Sequence, residues 1–442
     1  MNEWTYHPVH FLEADWVLNV SERLLEICGK LKSRCPERLL GAFVSLIYYP
    51  VCGTANLMRA WIYAAKNRLY ASQNRLTANL MADKLREAIS LDYSLTDEYH
   101  SIDGGRYYGF GLSEHFNFTT WDDANNQYPI ARYVHPANSK RMIISKVDDE
   151  RYVTGLSTSD RKMVWSDGMR QDVDKIEFDI TCAGVSPMGF SIETDCDWLS
   201  FSETKGEIEL TKRIILYILK ERFTGIKTGS FRVRGVGFNA CANIEVNAQN
   251  RTDIPVNTFI ESDGYICMKA VHYQGKYDSE NGSFRSLIPC TREGSAVKAY
   301  PVTKDFTKVK DKPYLSYSFL AQNEGEYRVR FWLEATTPVV FEREQYISFS
   351  INGGEIISLN TVREPERQFF TSPQANAEAT DHVKIADYSL PCKKGLNELI
   401  FYAASPAILL EKIALYPAGT ALKESYMGPA ESYIKLQKAD GE

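Results

Sequence analysis

The first hundred residues carry an apolar pattern with a helical period. Six apolar side chains recur at intervals of three or four: Leu12, Trp16, Val20, Leu24, Ile27 and Leu31. Residues with this spacing lie on one face of an α-helix, so the pattern predicts an amphipathic helix.

Three more helical segments follow. Pro36 suits the first turn of a second helix through Ile47, and Pro50 interrupts or kinks that run. The patterns at 55–71 and 76–99 predict the third and fourth helices. Because the connections are short, the four helices are expected to form an antiparallel bundle. The segment 105–140 is rich in aromatic residues, Gly and Asn and has no regular period, which is typical of a packed loop region.

From about residue 141 the apolar period becomes two, which is typical of β-strands. Five segments predict a small immunoglobulin-like sandwich: 175–181, 190–194, 214–219, 230–235 and 240–246. Trp198 is expected in its core. The rest of the chain predicts a larger, jelly-roll-like sandwich. Its strands are expected to pair as 314–320 with 327–333, 345–352 with 355–359, and 396–403 with 407–415.

The predicted fold class is therefore multidomain α and β, with an N-terminal antiparallel helical bundle followed by two β-sandwich modules. We expect four regions: a helical bundle at 1–104, the irregular loop region at 105–140, the small sandwich at 141–252 and the C-terminal sandwich at 253–434.

Composition narrows the function classes. The 442 residues carry a net charge of −6 and no basic stripe, so nucleic acid is not an expected partner. Nine scattered cysteines without a C-x-x-C pair suggest neither a disulfide framework nor a zinc site, and no metal or other cofactor is expected. No long uninterrupted apolar run and no signal peptide are visible, so we expect no membrane span and leave the location open. The 26 tyrosines suit a sugar-binding surface, although strand faces also favour tyrosine.

Several stretches resemble one known family. The run LIYYPVCGTANLMRAWIYAAKNRL at 46–69 continues into YASQNRLTAN. It resembles the helical segment that follows the catalytic barrel in glycoside hydrolase family 115, the xylan α-1,2-glucuronidases. EHFNFTTWDD at 114–123 is similar to the family's His-Ile-Gly-Tyr-Thr-x-Trp stretch. GEYRVRFWLEAT, ASPAILLEKIAL and SYMGPAESY resemble its closing strands and tail.

The chain also departs from the family pattern. Lys269 stands where the family usually has an acid, and Phe284 stands near the place of a usual Trp. His115 is followed by Phe116 and Asn117 instead of Ile-Gly. These changes affect the details of sugar contact.

The resemblance implies an accessory, C-terminal portion of a family 115 enzyme. Full members carry an α/β domain and a catalytic barrel before this region, and residues 1–100 show no strand–helix alternation of a barrel. Inverting hydrolysis needs two carboxyl groups about 6.5–9.5 Å apart, and the resemblance places them mainly in the barrel. The catalytic residues are therefore unassigned, and we expect this chain to be inactive alone although its family is hydrolytic.

The resemblance also implies partners: glucuronoxylan or another plant polysaccharide, a catalytic barrel of the same or a neighbouring chain, and a second copy in a homodimer. Family relatives are often exported. An alternative is a free-standing carbohydrate-binding protein of the same domain type. A third hypothesis, a hydrolase in its own right, would use His115 and nearby acids.

The candidate site residues fall into two groups. His115, Trp121 and Arg68 are candidates for substrate contact, because imidazole and guanidinium groups donate to carboxylates and a Trp ring stacks on sugars. Four residues of the C-terminal sandwich are candidates for a carbohydrate surface: Tyr265, His272, Tyr273 and Arg292. For every one of them, ordinary structural packing is the competing explanation.

Overall fold

The structure, a computed structural model, describes residues 1–112, 115–116, 127–157, 160–251, 253–339, 344–362 and 373–435. The chain forms two compact units. The first contains Met1–Gly168, Val173–Gln249 and Glu424–Gly428, and the second contains Met169–Asp172, Asn250–Lys423 and Pro429–Glu442. The predicted fold class is confirmed: helices come first, and two sandwiches follow.

The helices of the first unit are α1 (Glu13–Arg34), α2 (Glu37–Phe43), α3 (Tyr49–Ser72) and α4 (Thr77–Ser101). A π-helical turn at Val44–Tyr48 joins α2 to α3 without a break. Pro50 lies in the first turn of α3. Because proline lacks an N–H and its ring crowds the carbonyl four residues earlier, the irregular turn lies where the α-helical ladder cannot be completed.

The apolar stripe of α1 faces away from the bundle. Its members are each between 39% and 57% exposed: Leu12, Trp16, Val20, Leu24, Ile27 and Leu31. The helix instead buries a face of smaller residues that includes Ala14, Val17, Ser21 and Cys28. Small side chains allow the backbone of α1 to approach α3 closely. The sequence therefore predicted the helix, and the structure shows that its most apolar face lacks cover within the described residues.

The continuous helical run 37–72 also carries exposed apolar residues. Its length and composition alone would allow it to cross a membrane, but a single such helix is weak evidence, because core helices of soluble proteins pass the same test. In the most apolar stretch of this run, 22% of residues are buried. Leu39, Leu46 and Ile47 are among its exposed apolar residues.

Helices α3 and α4 form the centre of the bundle. Their shared core contains Trp61, Tyr63, Leu85 and Phe116 with small alanines between them. The loop after α3 also contacts the sandwich of the same unit, where the N–H of Leu76 donates to the carbonyl of Cys182 at 3.3 Å.

The sandwich of the first unit consists of two sheets, in which most neighbouring strands are antiparallel. Its strands are β1 (Met142–Lys146), β2 (Tyr152–Val153), β3 (Lys162–Gly168), β4 (Lys175–Cys182), β5 (Met188–Thr194), β6 (Leu199–Phe201), β7 (Lys205–Ile208), β8 (Thr211–Ile218), β9 (Gly225–Val236) and β10 (Cys241–Asn250). Among the described residues, the sheet orders are β2-β1-β4-β8-β6 and β3-β10-β9-β5-β7, and β3 and β10 are parallel. Trp165, Phe178 and Phe231 meet in the core, and Trp198 is buried as predicted.

The sandwich of the second unit uses the remaining strands: β11 (Phe259–Ile260), β12 (Ile266–Lys269), β13 (Gly275–Tyr277), β14 (Ser283–Leu287), β15 (Ala296–Tyr300), β16 (Tyr314–Ala321), β17 (Gly325–Leu333), β18 (Tyr346–Ile351), β19 (Ile357–Asn360), β20 (Lys384–Cys392), β21 (Gly395–Tyr402) and β22 (Leu409–Pro417). A short helix, α5 (Pro373–Asp381), precedes β20. In the described ranges, one sheet has the order β11-β16-β21-β18-β19 with β13 on β16. The other has the order β14-β15-β22-β17-β20 with β12 on β22.

Two of the three predicted strand pairs in this sandwich are wrong. Strands β18 and β19 do form an antiparallel pair. However, β16 and β17 belong to opposite sheets, and so do β21 and β22. Their short connections cross between the sheets of the sandwich. The alternation of apolar residues is the same whether the next strand pairs or crosses, so the pattern does not reveal this choice.

Candidate functional site

The candidate His115 belongs to a hydrogen-bonded group in the helical bundle. Its Nε2 lies 3.0 Å from Oδ1 and 3.1 Å from Oδ2 of Asp92. Since a carboxylate only accepts, the imidazole N–H donates. The hydroxyl of Tyr128 donates to Oδ2 of the same carboxylate at 2.8 Å. Burial and this hydrogen bond raise the pKa of Tyr128, so it remains a neutral donor.

Asp92 is buried because of its place on α4. It is spaced from Leu85, Ala88 and Leu95 at the intervals that mark one helix face, and it is 6% exposed. A buried carboxylate requires hydrogen-bond donors, and the imidazole and the phenol supply them. This group therefore holds His115 and Tyr128 against α4.

A groove adjoins the group on the side of Tyr128. It is lined by residues 2–4, Trp61 of α3, residues 127–130 and Arg132, and its volume is about 310 Å³. We call it the Trp4 groove. Trp4 is 65% exposed, whereas Trp61 is 5% exposed and contacts Phe116. The volume is at the lower end of the range of about 300–1,000 Å³ usual for small-molecule sites.

Arg68 is held beside this groove. Its guanidinium carbon lies 3.4 Å from the centre of the Trp4 ring, a cation–π contact. The carboxylate of Glu3 lies 3.7 Å from Nε of Arg68 and 3.4 Å from Nη2 of Arg132. Burial lowers the pKa of Arg68, Glu3 opposes that shift and Arg132 adds to it. Two guanidinium groups therefore share one carboxylate at the groove.

His7, His10 and Glu150 form the one group among the described residues with the spacing of metal ligands. The Nδ1 atom of His7 accepts from the backbone N–H groups of Val9 and His10, at 3.3 and 3.0 Å. A neutral imidazole that accepts at Nδ1 carries its proton on Nε2, and that Nε2 is the atom that faces Glu150. Burial and the neighbouring His10 and Arg68 lower the pKa of His7 to about 4. The group therefore fits a hydrogen-bonded cluster better than a metal centre.

In the second unit, Tyr265 and His272 belong to one polar cluster. Nδ1 of His272 lies 2.8 Å from Oε1 of Glu431, which also accepts the N–H of Lys269 at 2.9 Å. Tyr265 is 5% exposed and hydrogen-bonds to Arg170, whose Nη2 donates to the carbonyl of Glu431 at 3.4 Å. Burial raises the pKa of Tyr265. Tyr265 therefore acts as a structural phenol, and the exposed His272 is the more accessible of the two.

The other candidates are dispersed. Tyr273 packs against the core of the second sandwich. Arg292 lies near Glu411, a carboxylate whose pKa is raised by burial and lowered in part by that arginine. Trp121 lies outside the described residues. Arg68 stacks on Trp4, and His115 shares the carboxylate of Asp92 with Tyr128, so each of the two candidates is next to a residue that lines the groove.

Several residues of these sites were missed from the sequence. Asp92 could have been found, because it is a charged residue among the apolar residues on the buried face of α4, where charged residues are rare. Trp4, Trp61 and Arg132 carried no such signal, because they come from separate segments. Glu431 belongs to the tail motif SYMGPAESY, but its hydrogen bonds to Lys269 and His272 depend on the fold.

Comparison with known families supports the resemblance. Residues 258–431 match the family model described as Glycosyl hydrolase family 115 C-terminal domain. The predicted resemblance is therefore confirmed over this segment. No curated protein matches the chain.

Three solved structures illustrate the similarity. A family GH115 4-O-methyl-alpha-glucuronidase, BtGH115A, with specificity for decorated arabinogalactans, matches at 12% identity and a TM-score of 0.44, over 93% of this chain and 34% of that chain. The chain thus spans about a third of that relative. A family 35 carbohydrate-binding module from Clostridium thermocellum matches at 15% identity and a TM-score of 0.24, over 35% of this chain and 98% of that chain. The C-terminal CBM6 of LamC from Zobellia galactanivorans matches at 14% identity and a TM-score of 0.23, over 34% and 98%.

Proposed function

We propose that this chain is the accessory portion of a glycoside hydrolase of family 115 type, and that its helical bundle supports a catalytic barrel. The barrel would belong to the same or a neighbouring chain. The match of residues 258–431 to the family's C-terminal domain supports the family assignment of that segment. The whole enzyme would remove glucuronic acid, or its 4-O-methyl form, from glucuronoxylan.

The exposed apolar stripe of α1 carries the proposal. The helix has 22 residues and is therefore about 33 Å long. Trp16, at 57%, is the most exposed of the six apolar residues, and Leu46 on the next helical run is 73% exposed. Six exposed apolar side chains on one helix face are typical of a protein interaction site. Burial of such side chains removes apolar surface from water, and the part of this gain that exceeds the entropy cost of association would stabilise a complex.

The experiment is a binding measurement between the purified 442-residue chain and a barrel-containing fragment of a family 115 relative. We expect a stable complex for the native sequence. The double substitution Trp16→Glu and Leu24→Glu places charges on the stripe and should weaken binding by tenfold or more. Circular dichroism should remain unchanged, because both side chains are exposed.

The matched control is the double substitution Asn19→Glu and Ser33→Glu. Both positions are exposed on α1 but lie at the flank of the stripe. This variant adds the same two carboxylates and should bind like the native chain. Equal loss in both variants, or no complex with the native chain, would refute barrel docking through the stripe. Sedimentation of the chain alone would show whether a second copy covers the stripe instead.

Free-standing carbohydrate binding is the second candidate, and one feature of the second sandwich favours it. Tyr277, Tyr314 and Tyr402 occupy directly opposed positions on β13, β16 and β21. The first two rings stack at 5.1 Å, and the third meets Tyr314 edge-on at 5.6 Å. Rows of aromatic rings on a strand face suit contact with sugar rings.

Titration calorimetry with aldouronic acids would test this candidate. Tyr277→Ala should weaken binding by tenfold or more, and Tyr388→Ala, at an exposed tyrosine outside the row, should not. A native chain that gives no heat with ligand in the millimolar range would exclude sugar binding of ordinary strength.

A further inference from the structure

Two cysteines meet in the core of the helical bundle. Cys28 of α1 is 4% exposed and Cys52 of α3 is 1% exposed, and both pack with Leu95 of α4 in one buried cluster. Both are free thiols, and the two groups lie within hydrogen-bonding reach of each other. Burial and the neighbouring Cys28 raise the pKa of the Cys52 thiol to about 12, so Cys52 stays protonated at neutral pH.

The packing of α1 on α3 suits a bond between these two sulfur atoms. Packed helices have axes about 8–10 Å apart and Cα atoms about 2.3 Å from each axis, so facing Cα atoms are about 4–6 Å apart. A disulfide requires a Cα separation of about 4.4–6.8 Å. Two cysteines that face each other across a close helix pair therefore meet this requirement while the helices stay in place.

A glycine follows each of the two cysteines. Gly29 and Gly53 lie in the interiors of α1 and α3, where glycine weakens a helix. In the part of the chain that the structure describes, no atom outside their own helical turns lies within 4 Å of the place where a Cβ would stand. Packing therefore does not require glycine here. The open space leaves a small oxidant a route to the thiols, and the missing side chains let the backbone adjust.

We propose that Cys28 and Cys52 form an oxidation site, at which a peroxide converts the two thiols into a disulfide that joins α1 to α3. One sulfur attacks a peroxide oxygen as the thiolate and becomes a sulfenic acid, and the other oxygen leaves as hydroxide, which takes up the thiol proton. The second sulfur then attacks the sulfenic sulfur, whose oxygen leaves as water. The two thiols lose two electrons and two protons, and hydrogen peroxide becomes two waters.

The disulfide would stabilise the bundle. It closes a loop that contains α2 and the π-helical turn, and this restricts the unfolded chain. We expect the thermal midpoint of the first unit to rise by on the order of 5 °C on oxidation. The site uses only the contact of α1 with α3, so it goes beyond the proposed barrel support and does not depend on it.

The test oxidises the full chain in its folded state. Reduced protein is treated with hydrogen peroxide, catalase stops the reaction, and the chain is unfolded in iodoacetamide and digested with trypsin without reduction. Cleavage after Lys and Arg places the three nearest cysteines in separate peptides: Cys28 in 24–30, Cys35 in 35–38 and Cys52 in 39–59. Mass spectrometry should find the first and third peptides linked, with the loss of two hydrogen atoms. Dithiothreitol should separate them and reverse the rise of the thermal midpoint.

Three variants assign the bond. Cys28→Ala and Cys52→Ala should each abolish the linked peptides and the rise of the midpoint. Cys35→Ala is the matched control, because it removes a partly exposed thiol close to the end of α1. It should form the linked peptides and gain stability on oxidation like the native chain.

The proposal is overturned if the oxidised native chain yields the Cys28 and Cys52 peptides alkylated and unlinked, or if either is joined to the Cys35 peptide instead. A midpoint that rises as much in Cys28→Ala as in the native chain would also overturn it. The linked peptides are measured on the native sequence, so the result stands even where a variant fails to fold. Binding of a barrel fragment is a separate measurement, so failure of this site and failure of barrel docking are distinguishable.

Discussion

The carboxylate of Glu13 accepts the hydroxyl hydrogen of Ser425 at 2.7 Å, and the two residues are 412 positions apart in the chain. The same carboxylate accepts the backbone N–H groups of Met427 at 2.8 Å, Tyr426 at 3.1 Å and His7 at 2.6 Å. Glu13 is 4% exposed, so these four donors replace its hydration. The first residue of α1 thus fixes the segment Glu424–Gly428 within the first unit.

Replacement of Glu13 by Ala should be strongly destabilising. It leaves several buried donors without an acceptor, each at a cost of about 1–3 kcal/mol, partly relieved by water. We expect a loss of about 2–4 kcal/mol in the free energy of unfolding, measured by urea denaturation. Glu26→Ala is the control, because Glu26 is exposed and pairs with Lys30, and it should cost much less than Glu13→Ala. Equal effects of the two substitutions would contradict this role of Glu13.

The contact between Asp92 and His115 should be energetically coupled. A double-mutant cycle with Asp92→Ala and His115→Ala isolates the pair. We expect a coupling energy of about 1–2 kcal/mol, because a hydrogen bond to a charged group contributes about 1.5–3 kcal/mol when fully formed and His115 is partly exposed. Asp92→Ala alone should cost more than His115→Ala, since it also deprives Tyr128 of its acceptor. Strict additivity of the two single effects would rule the coupling out.

His7 should make the stability of the first unit depend on pH. Burial and the neighbouring His10 and Arg68 lower its pKa from the ordinary value of 6.5 to about 4. Between these values the unfolded chain binds more protons than the folded chain. The free energy of unfolding is therefore highest above about pH 6.5 and falls as the pH decreases towards 4. His7→Asn retains an acceptor for the N–H of His10 but does not titrate. Its unfolding free energy should change less between pH 7 and pH 5 than that of the native chain, and an identical change would contradict the prediction.

The nine cysteines should differ in reactivity. All are free, and burial raises the pKa of three of their thiols, to about 12 for Cys52, about 11 for Cys267 and about 12 for Cys392. Only the thiolate reacts rapidly with iodoacetamide. At pH 8 the native chain should therefore label at Cys35 and Cys290, which are partly exposed, long before these three. Peptide mass spectrometry would read the sites, and a denatured sample should label at all nine.

The local structure followed closely from the sequence. The predicted helix at 76–99 corresponds to α4, and the predicted strand at 175–181 corresponds to β4. The period of the apolar residues and the turn residues are local signals, so both can be recognised in the sequence alone. The pairing of β16 with β21 was not readable, because both choices of partner bury the same alternate residues.

The sites were less accessible to prediction. A histidine among aromatic residues marks His115 in the sequence, but its partner Asp92 lies 23 positions earlier, on a different element. The Trp4 groove joins residues 2–4 to residues 127–132, and no local pattern connects those segments. Tyr265 and His272 were both selected, and Arg170 and Glu431 bring them into one cluster.

By itself the sequence determined the order of helices and strands, the fold class and the resemblance of the C-terminal segment to family 115, because these depend on short-range periodicity and on motifs within continuous stretches. Only the tertiary structure decided which face of α1 is buried. The stripe from Leu12 to Leu31 was the more apolar face, yet the bundle buries the face of Ala14 and Val17. Close approach of α1 to α3 requires small side chains, and the resulting packing leaves the large ones exposed.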